Sequence, residues 1–241
     1  MSSVGAPWEI ESITRNTSDK EVIDLYTKSG STGIYNSLIV LIPDYEVAFT
    51  VLTAGDVSTL VSMLSEMIAE TFLPVIYLVS KEEAAVAFGG VYESPGANSS
   101  LSLIEDDGPG LLISNWISNG TDLLAVYEKI GGVIVEARIY PTGLKSSAMS
   151  GNSTADVSYR GIFQPVPDTN STYRHRQIFN IDCTTWFGVD AVVYGHNAVD
   201  EFVFQVDRHG KALSVEPRAL RIHLAKKIQL PGTNNTVVKG G

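Results

Sequence analysis

The sequence predicts a mainly β chain with α elements, an α+β architecture in which an antiparallel sheet and a long helix precede a β-barrel. Three observations carry this reading. The runs 22–29, 34–42 and 47–53 are apolar and rich in β-formers, and the short turns 30–33 and 43–46 separate them, which is the pattern of an antiparallel meander. Leu60, Leu64, Met67, Ile68 and Phe72 then recur at the period of a helix. From Val91 onward the texture changes to short β runs punctuated by Gly, Pro, Asn and Asp, the spacing of an all-β barrel or sandwich.

Each element follows from local chemistry. The polar N-terminal stretch around Ser12 and Thr17 to Lys20 reads as solvated. Asp56 after Gly55 is an expected N-cap for the long helix. Pro74 is expected to kink or end that helix, leaving 81–88 as a second short helical turn before Gly89-Gly90. A boundary near residue 88 divides the chain into 1–87, a three-stranded meander plus helix, and 88–241, the barrel. Strands are expected at 100–104, 110–117, 133–140, 155–164, 190–195, 201–207, 211–216 and 219–225. The stretch 121–130 reads as an amphipathic helical insert capped by Thr121 or Asn119, and Asp207-Arg208-His209-Gly210 as a hairpin turn. The small, polar stretches 145–154 and 165–172 read as exposed loops.

Charge and composition limit the function classes. With 17 Lys and Arg against 27 Asp and Glu the net charge is -10, and no basic cluster offers itself to phosphates, so nucleic acid is excluded as an expected partner. No uninterrupted apolar run reaches the roughly 20 residues of a membrane-spanning helix, so a soluble chain without a membrane span is expected. Asn-x-Ser/Thr sequons stand at Asn16, Asn98, Asn119, Asn152, Asn170 and Asn234, more than chance would place, and indicate a secretory lineage. Met1 to Trp8 shows no basic start and apolar core of a signal peptide, so a cytoplasmic location is expected if Met1 is the true start. Cys183 is the single cysteine and has no internal disulfide partner.

The string Tyr26-Thr27-Lys28-Ser29-Gly30-Ser31-Thr32-Gly33, followed by two apolar runs ending at Pro43 and Thr53, resembles the third active-site box of the serine β-lactamase and penicillin-binding-protein superfamily. Gly5-Ala6-Pro7-Trp8-Glu9-Ile10 extends the likeness, which covers residues 5–80. Residues 88–226 are similar to the lipocalin-like β domain at the C-terminus of many fungal β-lactamase-related proteins, through Gly89-Gly90-Val91-Tyr92, Asp107-Gly108-Pro109-Gly110, Arg138-Ile139-Tyr140-Pro141 and the run from Asp200-Glu201-Phe202 to Pro217. The resemblance implies that Lys28 and Ser29 shape the electrostatics of a substrate pocket and that Ser31 supplies a backbone N–H to an oxyanion hole. On an edge strand, alternation puts Tyr26, Lys28 and Gly30 on one face, with Tyr35 nearby.

The chemical engine of that superfamily is missing from the sequence. No Ser is followed three residues later by Lys; Ser12 has Arg15 there, Ser65 has Ile68, and Thr17 stands where Lys20 would require Ser. Acyl-enzyme chemistry needs a hydroxyl within reach of a base, and arginine does not give up its proton. His175, His196, His209 and His223 show no metal-ligand spacing, so no metal or other cofactor is expected. His196, between Asp190 and Asp200, could pair with a carboxylate or lie in a solvent-facing hairpin turn; the second reading is the default. Cys183 beside Asp182, with His175 nearby, reads as a buried or formerly bridged cysteine, and Arg174-His175-Arg176 as a solvated basic spot. Glu136, Arg138 and Tyr140 alternate on one strand, with outward as the expected direction, and Trp116, Trp186, Phe187, Tyr159 and Phe163 are expected in the barrel core.

The leading expectation is a stand-alone β-lactamase-like derivative that binds an apolar small molecule, a cyclase or isomerase of fungal secondary metabolism working without an acyl-enzyme. Lys28 and Tyr26 would be its catalytic residues, and Ser29, Ser31 and Tyr35 its substrate-binding ones. Two alternatives stand beside it: a non-catalytic C-terminal fragment or accessory module of a secreted serine hydrolase, and a lipocalin-type binding protein. The exposed sheet edge and the apolar face of the 56–78 helix call for a cover, either the barrel, a second copy of the chain or a missing N-terminal half.

Overall fold

The computed structural model of the 241-residue chain describes residues 2–14, 22–55, 58–146, 154–166 and 184–227. Two compact units make up the chain, Met1–Ala84 with Asp107–Pro109, and Ala85–Asp106 with Gly110–Gly241.

The first unit is an antiparallel sheet of five strands in sequential order, β1 (Ser2–Gly5), β2 (Trp8–Thr14), β3 (Val22–Thr32), β4 (Tyr35–Ile42) and β5 (Val47–Ala54). The meander of 22–53 is present, and two strands precede it, the second running into the stretch around Ser12 expected to be solvated. Ser12 lies in β2, where its hydroxyl donates to Asp24 Oδ1 at 2.6 Å across the pairing with β3. Polar side chains concealed β2 because its apolar residues Trp8, Ile10 and Ile13 do not keep to one face, Ile10 pairing with Tyr26 and Ile13 with the buried Ile23, so only the sheet partner makes the strand decisive. Helix α1 (Ser58–Phe88) follows as one continuous helix through Pro74. Proline removes one backbone bond, yet Leu73 beside it is buried, and burial outweighs the local penalty. The expected separate turn at 81–88 is the end of this helix, and the expected cap Asp56 lies outside the described residues.

The core of this unit is one-sided. Ile23 and Leu25 of β3 and Val40 and Ile42 of β4 pack with Leu73 of α1, flanked by Ile13, Leu38, Tyr45, Phe49 and Ala69. Period two in the strands sets the opposite face free, and the stripe Val61, Ser65, Ala69 and Leu73 recurs every four residues along the helix, so one face of α1 lies on the sheet. Met63, Met67, Phe72, Val75, Leu78 and Val79 are exposed. By length and composition α1 is apolar enough to cross a membrane, with a mean hydropathy of 1.4 over an 18-residue window of which 17% is buried. Glu66 and Glu70 interrupt its apolar residues, so the helix contains no unbroken apolar run of membrane length. Leu73 of the same helix packs on Ile23, Leu25, Val40 and Ile42.

The second unit is a closed eight-stranded antiparallel barrel. Its strands are β6 (Gly90–Ser94), β7 (Ser99–Ile104), β8 (Leu111–Ser118), β10 (Val135–Lys145), β11 (Ala155–Pro165), β14 (Glu201–Val206), β15 (Ala212–Pro217) and β16 (Leu224–Lys226). The order β10-β11-β14-β15-β16-β6-β7-β8 closes through the pairing of β8 with β10. Between β8 and β10 lie the two-residue β9 (Thr121–Asp122) and helix α2 (Leu123–Gly131). Asp122 caps α2, its carboxylate accepting from Ala125 N at 3.2 Å, so the expected caps Thr121 and Asn119 are displaced by the residue one turn ahead of the helix's free N–H groups. Helix α3 (Thr184–Phe187) and the hairpin β12 (Val193–Tyr194) and β13 (Asn197–Ala198) complete the described elements. The expected strand 190–195 reduces to β12, and 219–225 becomes a 3-10 turn at Arg218–Leu220 before β16. Asp207 makes its hairpin turn, its Oδ1 accepting from His209 N at 2.8 Å and Lys211 N at 3.0 Å.

The barrel interior is filled. Tyr92, Leu101, Trp116, Phe202, Phe204 and Val215 are all at most 1% exposed. Phe88, Tyr92 and Tyr159 surround Phe204 at ring separations of 5.1–5.8 Å, and Trp116 sits among Tyr127, Phe163 and Phe202. At Gly161 a Cβ would come within 2.8 Å of the Phe202 ring, so the packing itself requires glycine there. An eight-stranded barrel has room either for its own side chains or for one small ligand, and here aromatic rings occupy the space. Trp116, Tyr159 and Phe163 are core as expected; Trp186 is 46% exposed and lies 4.9 Å from the Tyr140 ring.

Candidate functional site

Register decides where the residues of the β-lactamase-like string point. Glu9 to Thr14 of β2 pair with Thr27 to Val22, whereas β4 pairs with β3 all the way from Tyr26 to Thr32. Strand β3 is therefore central over its first half and an edge from Lys28 to Thr32. The edge-strand expectation holds for the segment that carries Lys28 and fails for Tyr26, which lies between Ile10 and Leu41.

Alternation puts Tyr26, Lys28 and Gly30 on the face opposite the buried Ile23 and Leu25, and the pairing of Thr32 with Tyr35 adds Tyr35 to that face. Ser29 and Ser31 alternate to the other face, where both are exposed. By alternation the five residues named from sequence divide three and two, yet Lys28 and Ser29 both border one depression and Ser31 and Tyr35 a second, whereas Tyr26 borders neither. On the open face, two adjoining depressions of about 280 Å³ and 330 Å³ share Gly30, Ser37 and Leu52. Lys28, Ile39 and Thr50 bound the first and Tyr35 and Thr53 the second. Gly30 keeps the floor low, since a Cβ there would stand 3.0 Å from Ser37 Oγ, which itself donates to Gly30 O at 3.3 Å.

Lys28 carries the site's charge. Its ammonium donates to Glu9 Oε1 at 2.7 Å, and both side chains are close to half exposed, so the pair is solvated and worth well under about 1 kcal/mol. A ligand anion can compete for that ammonium. Glu9, Ser37, Ile39, Thr50 and Leu52 were not named from sequence; the alternation of β4 and β5 could have placed the last four on the Lys28 face, whereas Glu9 depends on the pairing of β2. Ser65, already excluded as a nucleophile, spends its hydroxyl on Val61 O at 2.8 Å.

On the barrel, Glu136, Arg138 and Tyr140 face outward as expected, because Ala137 and Ile139 fill the interior. Arg138 is nonetheless 4% exposed. Its guanidinium forks onto Asp106 at 2.8 and 2.6 Å and reaches Glu136. Burial disfavours its charge, and the hydrogen bonds and charges of Asp106 and Glu136 more than reverse this, holding it firmly protonated. His196 lies exposed with Gly195 at the β12–β13 turn, both at positive φ, and Asp190 and Asp200 bracket Arg160 instead, at 2.6 and 3.6 Å. Cys183, His175, Arg174 and Arg176 lie outside the described residues. Among the described residues no group of three His, Cys, Asp or Glu side chains is placed to hold a metal ion.

Residues 80–228 match the family described as "Beta-lactamase-like-like, C-terminal domain". The chain belongs to that family. Relatives extend the likeness over nearly the whole chain: a "Beta-lactamase-like protein" of Arthroderma benhamiae is 28% identical over 93% of it, a "Probable hydrolase M10" of Phoma sp. 27% over 96%, and a "Probable hydrolase clz13" of Cochliobolus lunatus 28% over 95%. The chain spans 42%, 40% and 38% of those three proteins respectively. No solved structure matches it.

Proposed function

We propose that the chain is the C-terminal portion of a β-lactamase-like hydrolase: its first unit supplies the Lys28 wall of the site, its second is the barrel, and a further polypeptide supplies the nucleophile. One observation supports this above the others. The open edge of β3 from Lys28 to Thr32 presents an ammonium and a glycine floor beside an unpaired strand edge, and this chain's sequence holds no Ser-x-x-Lys pair to complete them. An acyl-transfer site needs those groups on a facing wall. The relatives named as probable hydrolases are more than twice as long as the part this chain matches, which leaves room for that wall.

The test is a chimera in which this chain replaces the matched part of the Arthroderma benhamiae protein, assayed on a chromogenic cephalosporin and on p-nitrophenyl esters. The expected result is turnover by the chimera, none by this chain alone, and a loss of at least tenfold on Lys28→Ala. Turnover that survives Lys28→Ala unchanged would overturn the assignment of the site.

A second reading has its own support. The adjoining depressions beside Lys28 mix polar groups with Ile39, Leu52 and Tyr35, which suits a small molecule with an apolar body and one anionic or carbonyl oxygen. In that reading the chain is a cyclase or isomerase that shapes its substrate without an acyl-enzyme. Mass spectrometry of the protein from its host under gentle conditions would reveal a retained molecule, and Lys28→Ala and Tyr35→Ala should each release it. The filled barrel interior weighs against the third alternative, a lipocalin-type carrier with an internal calyx.

A further inference from the structure

The sequons Asn98-Ser99-Ser100 and Asn119-Gly120-Thr121 begin 21 residues apart and meet at one rim of the barrel. Asn98 ends the β6–β7 turn at φ 43°, and Asn119 opens the β8–β9 turn at φ 47°. The two turns touch: Gly120 N donates to Asn98 O at 2.8 Å, and Asn119 N donates to Ser99 Oγ at 2.9 Å. Both asparagines are exposed, and neither takes part in the site beside Lys28.

We propose that this rim is a site of N-linked glycosylation and that Asn119 is its acceptor. Three differences between the two sequons select Asn119. Thr121 is exposed, whereas Ser100 Oγ already accepts from Asn115 Nδ2 at 2.9 Å. The Asn98 amide lies over the neighbouring turn, its Nδ2 only 2.7 Å from where a Cβ on Gly120 would be, so a sugar on that nitrogen has to displace the side chain from the turn. A threonine sequon is also a better acceptor than a serine one. Asn119 needs no such displacement, and the Asn-Gly pair, both at positive φ, holds it at the tip of a two-residue hairpin.

The chemistry balances with a lipid-pyrophosphate-linked oligosaccharide as donor. Asn119 Nδ2 forms a C–N bond to the anomeric carbon; the C–O bond from that carbon to the lipid pyrophosphate breaks, and the pyrophosphate leaves with the bonding pair. The amide proton passes to a base of the transferring enzyme. A bulky, solvated group then covers the β8–β9 rim and keeps it out of any protein interface.

The experiment is secretion of the full chain behind a signal peptide from a yeast, followed by intact mass measurement and peptide mapping before and after N-glycosidase treatment. The expected result is a glycan on Asn119, converted to Asp by the enzyme, retained on Asn98→Gln and lost on Thr121→Ala. Thr121→Ala removes the sequon while sparing the positive-φ asparagine, so loss of the glycan cannot be ascribed to a broken turn. Secreted protein with unmodified Asn119, or with the rim glycan on Asn98 in its place, would overturn the proposal.

Discussion

Arg138 and Lys28 are both ion-paired, and burial separates what the two pairs do. Lys28 and Glu9 keep nearly half of their side-chain surface in water, so the bridge contributes little and leaves the ammonium available to a ligand. Arg138 is enclosed, and its fork onto Asp106 is part of the fold. Replacing Asp106 by Ala is expected to destabilise the chain by about 2–4 kcal/mol, because an enclosed guanidinium would keep only one of its two carboxylates. Urea unfolding checks this; a loss under about 0.5 kcal/mol, the range of a surface change, would mean that the fork is no more than a surface contact. Sequence alternation placed Glu136, Arg138 and Tyr140 outward correctly, but nothing in that pattern distinguishes a wet face from one closed over by the Asp106 segment 32 residues away in the chain.

At the scale of elements, helix α1 shows which local signals survive tertiary context. Its period was legible from Leu60 to Phe72, and Pro74 was read as a break because proline ordinarily removes a hydrogen bond and clashes with the preceding turn. Leu73, packed on Ile23, Leu25, Val40 and Ile42, holds the helix on the sheet through that position. Leu73→Ala is expected to cost about 3 kcal/mol, in the range of buried Leu truncations, with the midpoint of urea unfolding falling accordingly. A cost near zero would mean that α1 is held elsewhere along its length. Strands β1 and β2 were missed for the converse reason: a short strand with charged alternate residues carries a weak local signal, and pairing with β3 supplies the rest. The hairpin turn at Asp207 was legible because Asp and Gly encode it locally.

Across the whole molecule, the barrel couples its tyrosines to stability. Burial pushes the phenols of Tyr92 and Tyr159 well above their ordinary range and that of Tyr127 up to about 12, with Asp200 adding to the last. The unfolded chain releases these protons near the ordinary value of about 10, before the folded chain does. Their contribution is therefore full below about pH 10 and is lost as the pH rises through about 12. Denaturant midpoints should hold from pH 8 to 9.5 and fall steeply by pH 11; an unchanged midpoint at pH 11 would show that the rings are reached by solvent. The sequence by itself determined the succession of sheet, helix and barrel, the likeness of residues 26–33 to a β-lactamase box, and the lack of a Ser-x-x-Lys pair, since each is written in local spacing. Only the tertiary structure decided that β3 becomes an edge at Lys28, that Ser29 and Ser31 border the depressions from the face opposite Lys28, and that aromatic rings fill the barrel. Those outcomes depend on which strand pairs with which and in what register, and a shift of one residue would exchange the two faces of β3 without changing a letter of the sequence.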